Sequence, residues 1–442
     1  MKNYQKGKVL AEGKTKRLYR VEGEDYERLV VVESKDDITK NDDPSQTKLM
    51  VSKAKFSTAT TSIVFELLRK AGIPVAYERR ISDTEFLAVN CKMIMLEVVV
   101  RRYAVGSYLK RYPNLEKKEG KVPHRFHRLV FELFLKTTGG KIVMKDGKEW
   151  GETGVDLKTK RPIDDPIIAN PYDDAWVLRH PKIPEWEEDS YIYRQVLKNG
   201  FLQRSVTVEK IEEIARRVFL VLEGAWAQLG FRLVDFKIEL GIDKDGNLLV
   251  ADVIDNDSWR LRTDDWKEIS KQLFRDNFNM DEIADKYATV ADLVTRFAVP
   301  KQAIVLWRGS QDDKSLELFE LAGIEKIDIV SSGHKSPSAC IANLEKVLAA
   351  YPEGGVILAT VGMSNGLGPI LSARTSWPVI GVPITVDKFS DDVWSSLRMP
   401  SQVPMGTILS SKNAMLMTLN ILAQKNPVAY MHRQYSIEEL DK

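Results

Sequence analysis

The apolar pattern changes character near Lys301. Before it, GKVLAEGKTKRLYRV and RLVVVESK read as a pair of strands, and Lys48–Lys70 repeats at the helical period. EFLAVNCKMIMLEVVVRRYAV is rich in β-branched residues and predicts two strands. Residues 139–186 are rich in Gly, Pro, Asp and Lys with a weak pattern, and read as an irregular insertion. Val206–Leu229 predicts an amphipathic helix, and FRLVDFKIELGIDKDGNLLVADVIDND a hairpin. From Lys301 on, short apolar runs (AIVLW, KIDIVSS, GGVILATVG, PVIGVPIT) alternate with helical segments at Ser315–Ala322, Ser338–Ala350 and Gly366–Ser372. Buried runs between helices predict a parallel, doubly wound sheet. The expected fold class is an α+β domain of antiparallel sheets with helices over residues 1–262. A helical linker (263–300), a three-layer α/β parallel-sheet domain (301–427) and a tail (428–442) follow.

A chain of 442 residues suits two domains. Its net charge of +2 and the absence of a long Lys/Arg run give no basic face for nucleic acid. RRYAVGSYLKR (Arg101–Arg111) is short and interleaved with apolar residues, so it reads as a pocket for a small anion. Cys91 and Cys340 lie too far apart in sequence for a CxxC motif and read as buried thiols in a reducing compartment. No apolar run reaches the ~18 residues of a membrane span, and MKNYQKGKVLAEGK has no signal-peptide core. The expectation is a cytoplasmic protein that engages neither membrane nor nucleic acid.

Two features of the first half carry chemistry. Gly13-Lys14-Thr15-Lys16 is not a Walker A loop, but Lys14 and Lys16 would share one strand face beside a glycine, which suits polyphosphate. A solvated basic strand end is the alternative. In the hairpin, an Asp245-Gly246 turn would set Glu239 directly opposite Asp252 and Lys237 opposite Ile254. Like charges so placed repel, and a divalent cation would remove the conflict; splayed carboxylates are the alternative. Asp235, Lys237 and Glu239 share one face by the period of two. Asp255, Asp257, Ser258 and Arg260 could read ribose hydroxyls and a phosphate, or form a capped loop.

In the second half three small polar loops follow apolar runs: RGSQDD (Arg308–Asp313), SSGHKSP (Ser331–Pro337) and GMSNGLGP (Gly362–Pro369). In an open parallel sheet all three converge on the carboxyl edge, where ligands bind. Alone, each could be structural, with Ser338 an N-cap.

AEGKTKRLY, RRYAVGSYLKR, KIELG and ADVIDNDSWRL together resemble phosphoribosylaminoimidazole-succinocarboxamide synthetase, over about residues 6–262. The resemblance implies an ATP-dependent ligase that joins carboxyaminoimidazole ribotide to aspartate through an acyl phosphate. It implies Gly13, Lys14, Lys16 and Asp235 at ATP and Lys237 in catalysis. It puts Mg²⁺ on Glu239 and Asp252, and Arg101 or Arg102, Ser107, Asp257, Ser258 and Arg260 at the ribotide. Residues 302–424 resemble class II phosphoribosylaminoimidazole carboxylase, and the order of the two domains matches the animal bifunctional enzymes. That resemblance implies CO₂ as substrate without biotin or metal, and a homo-octamer. His334 and Lys335 would be catalytic, with Gly309, Ser310, Asp312, Asp313, Ser332, Gly333, Ser364 and Arg374 at the ribotide. All the implied partners are small molecules.

The chain departs from these patterns at several positions. Met363 replaces an arginine, and Ala373-Arg374 a glycine-led pair, so Arg374 is the candidate replacement guanidinium. Lys40-Asn41-Asp42-Asp43-Pro44 replaces an Ala-Gly loop, and Arg262-Thr263 a Trp-Pro pair. Lys271, Gln272 and Arg275 persist. Asp164-Asp165-Pro166, the counterpart of an Asp-Pro run close behind FELFLK, follows only after the insertion. Three readings stand: a bifunctional enzyme, a relative with only the ligase active, or a non-catalytic protein of the same fold.

Overall fold

The computed structural model describes residues 5–23, 28–39, 47–116, 122–269, 280–316 and 321–441. The Lys40–Pro44 loop and Lys271, Gln272 and Arg275 lie outside these residues. The chain forms two compact units, Met1–Phe297 and Ala298–Leu440.

The first unit is α+β. Its first antiparallel sheet has the order β1-β2-β3-β7-β6, built from β1 (Gln5–Glu12), β2 (Lys16–Glu22), β3 (Leu29–Ser34), β6 (Tyr77–Arg80) and β7 (Glu85–Val89). β4 (Asp37–Thr39) and β5 (Thr47–Leu49) make a small hairpin before α1 (Lys53–Lys70). The expected strand through Gly13–Lys16 is therefore a turn between β1 and β2, closed by Gly13 N donating to Lys16 O at 2.9 Å.

The second sheet runs β16-β15-β14-β10-β9-β17-β18, with β8 (Lys92–Met93) and β19 (Trp259–Arg262) also on β17. Its strands are β9 (Leu96–Tyr103), β10 (Arg125–Leu135), β14 (Ile167–Ile168), β15 (Ala175–Arg179), β16 (Tyr191–Leu197), β17 (Arg232–Ile242) and β18 (Leu248–Ala251). Apolar and polar residues alternate along β17, so its two faces differ. Phe236 meets Phe219 of α3 (Val208–Gln228) edge to face at 5.3 Å between ring centroids. The opposite face carries Asp235, Lys237 and Glu239. Helix α3 starts where the pattern put it, with the Thr207 hydroxyl accepting from Lys210 N at 3.3 Å.

The insertion is ordered rather than irregular. It folds into a sheet of β11 (Thr137–Thr138), β12 (Lys141–Val143) and β13 (Glu149–Glu152), then returns through β14 and β15. The expected linker is also part of the first unit: α4 (Met280–Val294) buries Ile283 and Tyr287 with Met50.

The β17–β18 hairpin differs from expectation by one residue. Its loop has three residues, Lys244-Asp245-Gly246. Asp243 N donates to Asn247 O at 3.1 Å, and the Asp243 carboxylate accepts from Asp245 N and Asn247 N. Gly246 takes the left-handed position this loop length requires (φ 85°). Glu239 therefore pairs with Ala251, not Asp252. Asp252 falls past the strand at φ 65°, which re-aims its side chain.

The second unit is α/β. All five strands of its sheet are parallel, in the order β21-β20-β22-β23-β24: β20 (Ala303–Arg308), β21 (Glu325–Val330), β22 (Gly355–Val361), β23 (Val379–Pro383) and β24 (Gly406–Thr407). Its helices include α5 (Pro337–Ala350), α6 (Leu367–Ser372), α7 (Val393–Leu397) and α8 (Ser411–Leu422). The N-cap of α5 is Ser336, not Ser338, because Pro337 takes the first helical position. The middle of the expected Ser315–Ala322 helix lies outside the described residues. The expected tail instead begins as a helix, α9 (Pro427–Glu438), with Val428 and Ala429 fully buried.

One buried ion pair ties α1 to the loop before β19. Lys53 Nζ lies 3.2 Å from Asp257 Oδ2, with Lys53 almost wholly buried. Lys53→Met should therefore remove the buried countercharge of Asp257 and cost about 3–5 kcal/mol, read as a fall in denaturation midpoint of the tryptophan fluorescence transition.

Candidate functional site

The polar face of β17 and its neighbours forms a ladder of alternating charges. Asp235 stands opposite Arg101 on β9 and opposite Arg260 on β19. Its Oδ2 pairs with Arg101 Nη1 and lies 3.5 Å from Arg260 Nη1. Arg101 Nε donates to Glu132 Oε2 at 2.7 Å, and Nη2 to Ser107 Oγ at 3.3 Å. Arg111 pairs with the other Glu132 oxygen. Arg101 is 3% exposed, so its guanidinium is fixed by these partners. Gly106 is required beside it: at φ 59° a Cβ would stand 2.5 Å from Arg260 Nη1. Arg101, Ser107 and Arg260 thus come together as expected. Arg102 points elsewhere, held by both oxygens of Glu223 at 2.7 and 2.9 Å.

Three expected site residues have partners within the protein. Asp235, placed at ATP by resemblance, bridges the two arginines. Asp257 is held by Lys53 and the Tyr287 hydroxyl. The Ser258 hydroxyl closes its own turn, accepting from Asp255 N at 3.1 Å and donating to Val253 O at 3.3 Å. Asp255 likewise accepts from the Ser57 hydroxyl. The loop-closing role of this acidic run was the open alternative, and Lys53, one residue into a helix, gave no signal in the sequence.

Further along the face, Lys237 Nζ lies 2.6 Å from Glu97 Oε1, and Lys136 Nζ 2.7 Å from Glu239 Oε1. Lys16 pairs with Asp252. Burial pushes the Lys16 ammonium down to about 8, against the attraction of Glu239. Burial alone would raise the Glu239 carboxyl, but the charges of Lys136 and Lys16 hold it below its usual range. Asp252 thus pairs with Lys16 and Glu239 with Lys136, the charge of Glu239 also reaching Lys16, without the two carboxylates being cross-strand partners. Gly13 and Lys14 sit in the exposed β1–β2 turn, where Lys35 Nζ reaches Gly13 O at 3.5 Å. Lys14 and Lys16 consequently do not share a strand face.

In the second unit the loops after β20, β21 and β22 lie on one sheet edge. His334 Nε2 is 3.2 Å from both Ser364 O and Ser364 Oγ. Gly366 packs against the imidazole so closely that a Cβ would lie 2.3 Å from it. A Cβ on Gly333 would lie 2.7 Å from Gly366 O, so both glycines are needed where the loops touch. The Ser332 hydroxyl accepts from Lys335 N at 3.0 Å. In the first loop Asp313 accepts from Ser310 N at 2.8 Å, and Ser310 Oγ from Asp312 N at 3.3 Å; Gly309 lies against the Asp313 carboxylate. Asn365, not singled out in the sequence, anchors the third loop by accepting from Gly368 N at 2.9 Å and donating to Ser396 Oγ at 3.1 Å. Arg374 follows α6, at the opposite end from Gly366, and donates to Ile370 O at 3.4 Å. Met363 is 63% exposed.

Comparison with known proteins matches both units. A SAICAR synthetase family model matches residues 9–144 and 182–292, and an AIR carboxylase model residues 307–438. A probable multifunctional protein of Caenorhabditis elegans is 33% identical over 440 residues, covering 96% of this chain and 91% of that protein. The chain belongs to the bifunctional AIR carboxylase/SAICAR synthetase family. The family member from Rattus norvegicus, named bifunctional phosphoribosylaminoimidazole carboxylase/phosphoribosylaminoimidazole succinocarboxamide synthetase, is 32% identical, covering 96% of this chain and 92% of its own. A solved type-2 SAICAR synthetase in complex with ADP is 26% identical, with a TM-score of 0.46, over 65% of this chain and 97% of that one. Residues 145–181, most of the insertion, fall between the two stretches that the SAICAR synthetase model matches.

The Gly366 contact yields a prediction for the family's carboxylase activity. In Gly366→Ala the new methyl displaces the His334 ring, and a misplacement of about 1 Å costs about 100-fold in rate. Conversion of aminoimidazole ribotide with bicarbonate should fall accordingly, while ligase turnover in the same preparation stays unchanged.

Proposed function

We propose that the two units perform successive steps of purine synthesis: the second carboxylates aminoimidazole ribotide with CO₂, and the first joins the product to aspartate using ATP. The observation that carries the ligase reading is the Asp235 bridge between Arg101 and Arg260, on the same sheet face as Lys237 and Glu239. Arg101, Ser107 and Arg260 present fixed donors to an anionic ribotide. Gly13, Lys14 and Lys16 take the nucleotide. Phosphorylation of the ribotide carboxylate makes it an acyl donor, and Lys16 and Lys237 offset charge on the transferring group.

Mg²⁺ fits the residues present. Among the described residues no group of three or more His, Cys, Asp or Glu side chains could hold a metal alone. One or two carboxylates are the protein share expected for Mg²⁺ that also binds substrate phosphates, and Glu239 and Asp252 both act on Lys16. Glu239 and Asp252 would hold it. When bound, it neutralises phosphate charge.

In the second unit, with the Nε2 proton donated to Ser364 O, His334 Nδ1 is left as an acceptor for the ring proton that CO₂ displaces. Lys335 stabilises the new carboxylate. Gly309, Ser310, Asp312, Asp313, Ser332, Gly333 and Ser364 line the three-loop edge that takes the ribotide. The apolar residues this unit exposes, among them Phe389, Trp394, Leu397, Leu409 and Met417, support assembly through it into a homo-octamer. Both cysteines are free, Cys340 buried and Cys91 half-buried, which suits a reducing cytoplasm. No helix among the described residues is long and apolar enough to cross a membrane.

A second reading keeps only the ligase. Met363 stands where the resemblance expects arginine, and Arg374 lies at the far end of α6 from His334.

Two assays decide between the readings. With ATP, Mg²⁺, aspartate and carboxylated ribotide, the succinocarboxamide product is expected, and Glu239→Gln should cut its rate about 100-fold or more with folding intact. With aminoimidazole ribotide and bicarbonate, carboxylated product is expected. Silence in the second assay alone selects the ligase-only reading, and silence in both refutes the proposal.

A further inference from the structure

The insertion begins and ends beside the ligase site. Thr137 and Asp165 clasp each other where it leaves and rejoins the sheet: Thr137 N donates to Asp165 Oδ1 at 3.0 Å, and Asp165 N to Thr137 Oγ1 at 2.9 Å. Asp164 strengthens the clasp, accepting from Thr137 Oγ1 at 3.1 Å and Gly140 N at 2.8 Å. Asp165 sits at φ 49°, a conformation uncommon for a residue with a side chain and sustained here by these bonds.

The register brings the returning chain alongside the end of β10. Phe134 pairs with Ile167, and Leu135 N donates to Pro166 O at 2.9 Å. One step further, Asp165 lies abreast of Lys136, whose ammonium is on Glu239. Val99, Phe134 and Ile167 form one apolar cluster on this face. The charges of Glu97 and Lys237 both act on the Asp165 carboxyl, which sets it beside the Glu97–Lys237 pair at the edge of the face that carries Glu239.

We propose that Asp165 accepts the proton released by the attacking amine in the ligase reaction. The proposal rests on the ligase reading given above. Two protons leave the nitrogen as it becomes an amide. The first leaves the ammonium of aspartate to solvent, giving the neutral amine. The nitrogen lone pair then bonds to the acyl carbon, the carbon–oxygen bond to phosphate breaks, and phosphate departs with that electron pair. The second proton leaves the nitrogen as the bond forms and passes to the Asp165 carboxylate, which later returns it to water.

The surroundings tune this group. Burial pushes the Asp165 carboxyl up to about 6, and the negative charge of Glu97 adds to the rise; the Thr137 N–H and the charge of Lys237 oppose it. The charged groups acting on it are Glu97, Lys237 and Asp164. A group raised to this range is ionised at neutral pH and basic enough to take a proton in the transition state.

The test is Asp165→Asn, which keeps an oxygen for the Thr137 N–H. Wild-type ligase turnover is measured first, and its absence would sink the ligase assignment rather than this one. The variant should lose about 10²–10⁴-fold in kcat with aspartate, with KM for ATP unchanged, and its pH profile should lose the acid limb near 6. Hydroxylamine, neutral at pH 7, should still trap the acyl phosphate at the wild-type rate of ADP release. Normal turnover with aspartate overturns the proposal. So does a parallel loss with hydroxylamine, which would make the role structural.

Discussion

The first unit's site depends on one carboxylate. Asp235 lies on the middle of three adjacent strands, with Arg101 and Arg260 as its cross-strand neighbours. Two guanidinium groups so close would repel if nothing stood between them. Removing Asp235 would leave Arg101, almost wholly buried, to a Glu132 that it shares with Arg111. The pairing is therefore both a packing requirement and a means of presenting two fixed cations to an anion. Apolar residues on the other face of β17 pack on α3, so this face is left for chemistry.

Much of this was readable from the chain. The period of two put Asp235, Lys237 and Glu239 on one face, and alternating apolar runs and helices fixed the parallel sheet of the second unit. Where sequence reasoning failed, the cause was local. Asp245-Gly246 looked like a two-residue turn, but the Asp243 carboxylate caps a three-residue loop, and one residue is enough to move Asp252 out of register. Asp257 and Ser258 have the side chains of a binding loop and spend them on Lys53, Tyr287 and their own turn. The partners that decide this, Lys53 and Tyr287, are about 200 and 30 residues away in the chain. No periodicity connects such positions.

The insertion shows the same limit from the other side. Its composition predicted irregular chain, and its Gly-rich turns do break the pattern. Yet short strands and the Thr137–Asp165 clasp give it order, and close it against the sheet so that Asp165 returns to the end of β10. A long excursion can thus leave a site undisturbed when its two ends are hydrogen-bonded to each other. In the second unit, the glycines at 333 and 366 perform a comparable service, since only residues without a Cβ let the loops approach closely enough to hold His334.

The most direct test of this account is the affinity of Asp235→Asn, shown to be folded by circular dichroism, for each ligand separately. Isothermal titration with the carboxylated ribotide, without nucleotide, should give a Kd weakened by about tenfold or more, as expected when about 1.4 kcal/mol of a charge-assisted contact is lost. Titration with a non-hydrolysable ATP analogue and Mg²⁺ should match the wild type. Unchanged ribotide affinity with weakened nucleotide binding would contradict the account and return Asp235 to the nucleotide.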